Sequence, residues 1–190
     1  MKIEIVSRKP LSEPKYIKTE AIEYKIDDGE INIWEKIVVH DSVHVLVYNR
    51  DTDRILLVSQ PRIPVIVNHP EITAVYECCA GIIDKYHDLE LKEQVVKIAI
   101  DEVREELGYA IESSDLIIYP SLFSSVGSSG ASVHLLYAEI TNDQYVGQQL
   151  EPHEYIETYE LHADNVFHFL NTNMHTDATT KFLLAQWLLT

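Results

Sequence analysis

Apolar and polar residues alternate with a period of two through the first part of the chain, then shift to helical spacing after about residue 90. KIEIV (2–6), AIEYKI (21–26) and INIWEKIVVH (31–40) read as strands, and DDG (27–29) supplies a hairpin turn between the last two. Together they predict a small antiparallel sheet. SVHVLVYN (42–49) and RILLVSQ (54–60) flank the turn RDTD and form a second hairpin whose apolar content marks a buried sheet. VNHPEITA (67–74) reads as loop and AVYECCAGIID (74–84) as another strand. AIESSDL (110–116) is a turn. IIYPSLFSS (117–125) and VHLLYAEI (133–140) are strands joined by the glycine- and serine-rich VGSSGAS. ELHADNVFHFLNTN (160–173) reads as a short helix. DATTKFLLAQWLLT (177–190) closes the chain as a helix capped by Asp or Thr, with Phe182, Leu183, Ala185, Trp187 and Leu188 facing inward.

The helix with the most to say lies between these strands. Val95, Val96, Ala99, Ile100, Val103 and Leu107 fill one apolar arc, and Gly108 suits a left-handed cap. Glu102, Glu105 and Glu106 crowd its last turn and a half, where the helix macrodipole is already negative. Glu102 and Glu106 also form a like-charged i,i+4 pair, which costs roughly 0.2–0.5 kcal/mol. A solvated acidic face is the ordinary account of such a run. Carboxylates so badly placed for stability have a purpose if a hard divalent cation, Mg²⁺ or Mn²⁺, neutralises them.

Composition narrows the field. A chain of 190 residues with 46% apolar content can bury a real core as one domain, or one domain with an appendage. With 15 basic against 31 acidic residues the net charge is −16, which argues against nucleic acid as a partner. No run approaches the ~18–20 apolar residues of a membrane span, and the N-terminus lacks the apolar centre of a signal peptide. Cys78 and Cys79 are adjacent, so a disulfide between them is geometrically awkward. They read as small buried fillers in a reducing compartment, and the expected setting is the cytoplasm.

Residues 102–109 (EVREELGY), with ECCAG (77–81) at the end of the preceding strand, resemble the Nudix box. That motif runs Gly, five residues, Glu, seven residues, Arg-Glu-apolar-any-Glu-Glu-any-Gly-apolar. The tail matches position by position, and Glu93 stands where the pattern asks for its first glutamate. Asp101 occupies the usual Arg position, and the spacing from Gly81 to Glu93 is six residues too long. In the family that arginine helps orient the glutamates, so its replacement bears on rate more than on the metal site. HDSV (41 to 43, preceded by His40), ECCAG and the lengthened loop point to the ADP-ribose pyrophosphatase and UDP-sugar diphosphatase branch.

The resemblance implies an α+β fold, a Nudix α/β/α sandwich on a mixed β-sheet (residues 41–190). To this it adds an N-terminal antiparallel sheet (residues 1–40) that exchanges across a homodimer and walls the nucleotide pocket. It implies that Glu102, Glu106, Glu105 and the Ala80 carbonyl hold Mg²⁺ or Mn²⁺. Gln60 and Arg62 of SQPRIPV match a Gln-any-Arg-Pro segment, with the proline displaced to Pro64, and the match assigns Arg62 to the diphosphate. Glu77 matches a substrate-binding position. Gly127 falls in the loop near the distal sugar, where a simple hairpin connection explains it equally well. Trp34 falls where an aromatic stacks on the base, and plain sheet packing accounts for it as readily. The water-activating glutamate comes from GQQLEPHEYIETYEL, as Glu154 or, alternatively, Glu151, with Glu105 a further catalytic candidate. His153 could titrate near neutrality but receives no role.

The resulting expectation is metal-dependent hydrolysis of a nucleoside diphosphate sugar, of the UDP-glucose or ADP-ribose type, to a nucleoside monophosphate and a sugar phosphate. The rival expectation, which Asp101 supports, is a catalytically weak or inactive module that holds a nucleotide without turning it over.

Overall fold

The computed structural model describes residues 3–15, 17–172 and 175–189. Strands β1 (Lys18–Tyr24) and β2 (Asn32–Val38) pair antiparallel, with Ile22 opposite Trp34, as a two-stranded sheet of their own. The turn between them is closed by the Gly29 N–H donating to the Ile26 carbonyl at 3.1 Å, with Asp27 left-handed at φ 51°. Ile3–Val6 carry no strand, and Lys2 of that predicted segment lies outside the described residues. Without a partner to cover its apolar positions, alternation alone does not make a strand.

The main sheet has eight strands in a path β10 (Glu157–His162), β4 (Arg54–Gln60), β3 (Ser42–Asn49), β9 (Ser132–Ile140) and β7 (Leu116–Ile118), with β5 (Val75–Glu77), β6 (Cys79–Ile82) and β8 (Leu122–Phe123) branching from it. Its centre is the hairpin of β3 (Ser42–Asn49) and β4 (Arg54–Gln60), which stays paired only near its turn, from Val47–Asn49 to Arg54–Leu56. Beyond that the two strands splay. The segment predicted as one strand over 74–84 enters the gap as two: β5 (Val75–Glu77) pairs with β4, and β6 (Cys79–Ile82) pairs with β3. Cys78 is the crossing point, and its N–H donates to Thr180 Oγ1 at 2.8 Å instead of to a strand neighbour. Cys78 and Cys79, both fully buried, point into opposite cores. β3 also runs parallel to β9 (Ser132–Ile140), which makes the sheet mixed.

One face of the sheet packs against α2 (Leu91–Glu102) through Val95, Ile98 and Ala99, and against Val103 directly after it. Ile98 is fully buried, whereas Val96 and Ile100 of the predicted arc are only partly covered. The other face packs against α3 (Val166–Thr172) and α4 (Ala178–Leu188). The α/β/α layering is therefore as expected. Several local readings need correction. The run Ile63–Asn68 forms a short helix, α1, with Pro64 in its first turn, where the missing N–H does no harm. Pro120 splits the strand predicted over 117–125 into β7 (Leu116–Ile118) and β8 (Leu122–Phe123). Glu160–His162 belong to β10 (Glu157–His162) rather than to a helix, because they pair with β4. In α4 the buried side chains are Thr180, Leu183 and Leu184, while Phe182, Ala185 and Leu188 face outward. Asp177 caps that helix by accepting from the Thr179 and Thr180 N–H groups, which fixes its rotation. No helix among the described residues is long and apolar enough to cross a membrane.

Candidate active site

The site is built where β6 meets the end of the α2 helix. After Glu102 the helix widens into a π turn over Val103–Leu107 and stops at Gly108, whose left-handed φ of 80° ends it. A side chain on Gly108 would also collide with the Gln148 N atom, at 2.7 Å from a Cβ. The carbonyls of this last turn are bonded by the chain that returns beside it. The Gln148 side-chain amide donates to the Glu106 carbonyl at 2.5 Å, and the Gln149 N–H donates to the Glu105 carbonyl at 2.9 Å. These contacts carry residues 151–155 to the same place.

Two of the predicted glutamates face β6. Glu106 is 7% exposed, and one carboxylate oxygen accepts the Ala80 N–H at 3.0 Å. Glu102 lies against Gly81 so closely that a Cβ there would sit 2.2 Å from its Oε1. Burial first, then the charges of Glu106 and Glu105, with Lys85 opposing, together push the Glu102 carboxyl up to about 8. Burial pushes Glu106 up to about 7 against the Ala80 N–H, the Cys79 thiol and the Arg62 charge. Two carboxylates largely withdrawn from water, with no lysine or arginine in a salt bridge to either among the described residues, are suited to a cation.

Arg62, Ala80, Gly81, Glu102, Glu106, His153 and Glu154 line one cleft of about 550 Å³. Arg62, the residue preceding α1, is held by Glu77, with Nε 2.7 Å from Glu77 Oε2. Burial raises the Glu77 carboxyl and Arg62 opposes it. Glu154 Oε2 accepts the Glu151 N–H at 2.9 Å, and the loop turns there through His153 at φ 86°. His153 therefore lines the cleft although its sequence context gave it no part, and a positive φ is not legible from residue type in this case. Glu105 and Glu151 are not among the cleft residues. Trp34 and Gly127 meet each other elsewhere, with Trp34 Nε1 donating to the Gly127 carbonyl at 3.1 Å. A hollow of about 630 Å³ against β10 and α3 holds His162, His168 and His175 but none of these glutamates.

Among the described residues no three His, Cys, Asp or Glu side chains converge as a complete ligand cage. The donor set fits Mg²⁺ or Mn²⁺ nonetheless: two largely buried carboxylates, in a cleft that Ala80 also lines, offer hard oxygen donors, and Mg²⁺ keeps several of its waters. Ala in place of Gly81 would meet first the Glu102 side chain, from Cγ to Oε1, which can rotate away. Gly81→Ala should therefore leave the melting temperature within a few degrees and cut turnover about tenfold by turning Glu102 aside. A thermal melt beside a rate assay checks both halves.

Carboxylates at a helix end thus lie against a strand end, with an arginine lining the same cleft. The chain matches no family model. It is 30% identical over 165 residues to the uridine diphosphate glucose pyrophosphatase of Bos taurus, covering 72% of each chain. It is 29% identical over 191 residues to the GDP-mannose pyrophosphatase of Cronobacter sakazakii, covering 97% of this chain and 94% of the relative. A crystal structure described as an ADP compounds hydrolase superposes with a TM-score of 0.68 at 15% identity, covering 94% and 90% of the two chains, and so shares the fold. The chain belongs to the Nudix hydrolase family of enzymes.

Proposed function

We propose that this enzyme hydrolyses the diphosphate bond of a nucleoside diphosphate sugar with Mg²⁺ or Mn²⁺, giving a nucleoside monophosphate and a sugar phosphate. The observation that carries this reading is the convergence of Glu102, Glu106 and Ala80 in one cleft with Arg62. The relatives named for UDP-glucose and GDP-mannose support the substrate class. Glu102, Glu106 and the Ala80 carbonyl hold the metal, with Glu105 as a further ligand or catalytic group. When bound, the metal cancels charge on the diphosphate and draws electrons from the attacked phosphorus. Arg62, oriented by Glu77, forks onto phosphate oxygens. Glu154, or alternatively Glu151, takes the proton of the attacking water. Rotation of Glu154 away from the Glu151 N–H frees it for that task.

The exposed apolar residues of the N-terminal sheet, including Ile33 at 65% and Trp34 at 50%, support a homodimer in which this sheet (within residues 1–40) covers the partner. There Trp34 and Gly127 serve the base and the distal sugar. Two buried free thiols, Cys78 and Cys79, support a cytoplasmic setting. Incubating the purified enzyme and Mg²⁺ with UDP-glucose, GDP-mannose and ADP-ribose tests the reading. Monophosphate and sugar phosphate should appear from at least one. Saturable binding of all three without product would refute it.

A further inference from the structure

Residues 83–90 connect β6 to α2 and are tied down along their length. The Ile83 N–H donates to the Asp41 carbonyl at 2.8 Å, the Leu89 N–H to the Tyr86 carbonyl at 3.0 Å, and the Gln94 side-chain amide to the Leu89 carbonyl at 2.7 Å. Tyr86 takes a left-handed backbone, φ 62°, which a residue with a bulky side chain rarely adopts unless its surroundings impose it. Its ring packs against the α2-side core, its hydroxyl donates to Asp101 Oδ2 at 2.5 Å, and the Lys97 ammonium lies 3.9 Å from its ring centroid. Lys97 and Asp101 are one helical turn apart, so a single tyrosine spans both.

We infer that Tyr86, Asp101 and Lys97 form a clasp that positions the carboxylate end of α2 against the end of β6 and so sets metal affinity. This rests on the metal-dependent reading proposed above. The covalent path from Ile82 to Glu102 runs through the whole loop and the length of α2. The Tyr86–Asp101 hydrogen bond closes a much shorter ring, from Ile82 through Tyr86 to the residue just before Glu102. Asp101 would otherwise add a third negative charge beside Glu102 and Glu105. The donated hydroxyl and the nearby ammonium absorb that charge while the carboxylate serves as the anchor. Core packing of Val95, Ile98, Ala99 and Val103 fixes the helix on the sheet without the clasp. Its loss therefore registers in the metal site before it registers in the fold.

Tyr86→Phe keeps the ring over which Lys97 sits and removes only the hydroxyl. It should weaken Mn²⁺ binding, read by electron paramagnetic resonance of the free ion, about tenfold by loosening the seat of Glu102, a loss at the low end of those seen when the outer support of a metal site is removed. The melting temperature should stay within a few degrees, and the substrate KM at saturating metal should not move. Asp101→Asn retains an acceptor for Tyr86 and should stay within about twofold of the parent, whereas Asp101→Ala should match Tyr86→Phe. The double variant Tyr86→Phe/Asp101→Ala should be no worse than either single change, because the pair acts as one unit. Unchanged Mn²⁺ affinity in Tyr86→Phe, or losses that add in the double variant, would overturn the clasp. A parent that binds Mn²⁺ but cleaves no nucleotide sugar would sink the proposed activity and still let the variants judge the clasp. A parent that binds no Mn²⁺ overturns both.

Discussion

Replacing Glu106 by glutamine should lower metal-dependent turnover on the order of 10²–10³-fold, the loss expected when one preorganised charge at the reacting centre is removed. The same change should stabilise the metal-free protein in mild alkali. Glu106 and Glu102 are raised from the usual 4.5 to about 7 and about 8 because burial disfavours their charged forms. Each therefore favours the fold while protonated. That contribution is complete below the unfolded value and is lost as pH rises through 7 and then 8. Metal-free wild-type protein should melt at a lower temperature at pH 8.5 than at pH 6, and added Mg²⁺ should restore more at the higher pH. Glutamine keeps an acceptor for the Ala80 N–H and carries no charge, so Glu106→Gln should narrow the pH difference and blunt the response to Mg²⁺. Melts at two pH values, with and without the ion, read all of this together with the rate. A Glu106→Gln variant of undiminished activity would refute the assignment.

Arg62→Ala should lower kcat/KM about 10- to 100-fold, which is about 1.5–3 kcal/mol for a hydrogen bond to a charged group. The loss should fall mainly on KM, because in the proposed role Arg62 would grip substrate in the ground state as well as in the transition state. Arg62→Lys should recover only part of it, since an ammonium cannot fork onto two oxygens. The arginine side chain is 45% exposed, so solvent screens its pairing with Glu77 and the change should cost little stability. Glu77, with only 13% of its side chain exposed, is then left without its partner and takes up a proton at higher pH than before. Kinetics at fixed saturating Mg²⁺ separate the KM effect from any metal effect.

Glutamates at the negative end of a helix, with a glycine directly after it, conflict with local stability and so made that helix end legible in the sequence. The other candidates, Ala80, Arg62 and Glu154, were legible only through the resemblance to the Nudix family, and the structure places them in the same cleft as Glu102 and Glu106. The β1–β2 hairpin was legible because alternation and a DDG turn agree. What was not legible depends on neighbours distant in the chain. The transfer of β5–β6 from β4 to β3 at Cys78 is a property of the splayed hairpin, and no residue near Cys78 announces it. The proline in IPVIVN hid α1, whose residues 63–66 read as no element and whose last two read as loop. His153 lines the cleft through a turn geometry that histidine does not advertise. Tyr86 looked like part of an insertion, and only the folded chain brings its hydroxyl to Asp101.

The most direct test is a crystal grown with Mn²⁺ and a non-hydrolysable nucleoside diphosphate sugar, examined by anomalous scattering at the manganese edge. An anomalous peak coordinated by Glu102, Glu106 and the Ala80 carbonyl, with a diphosphate oxygen completing its shell, is the result expected. Manganese bound elsewhere, with those two carboxylates uncoordinated beside an ordered diphosphate, would contradict the account.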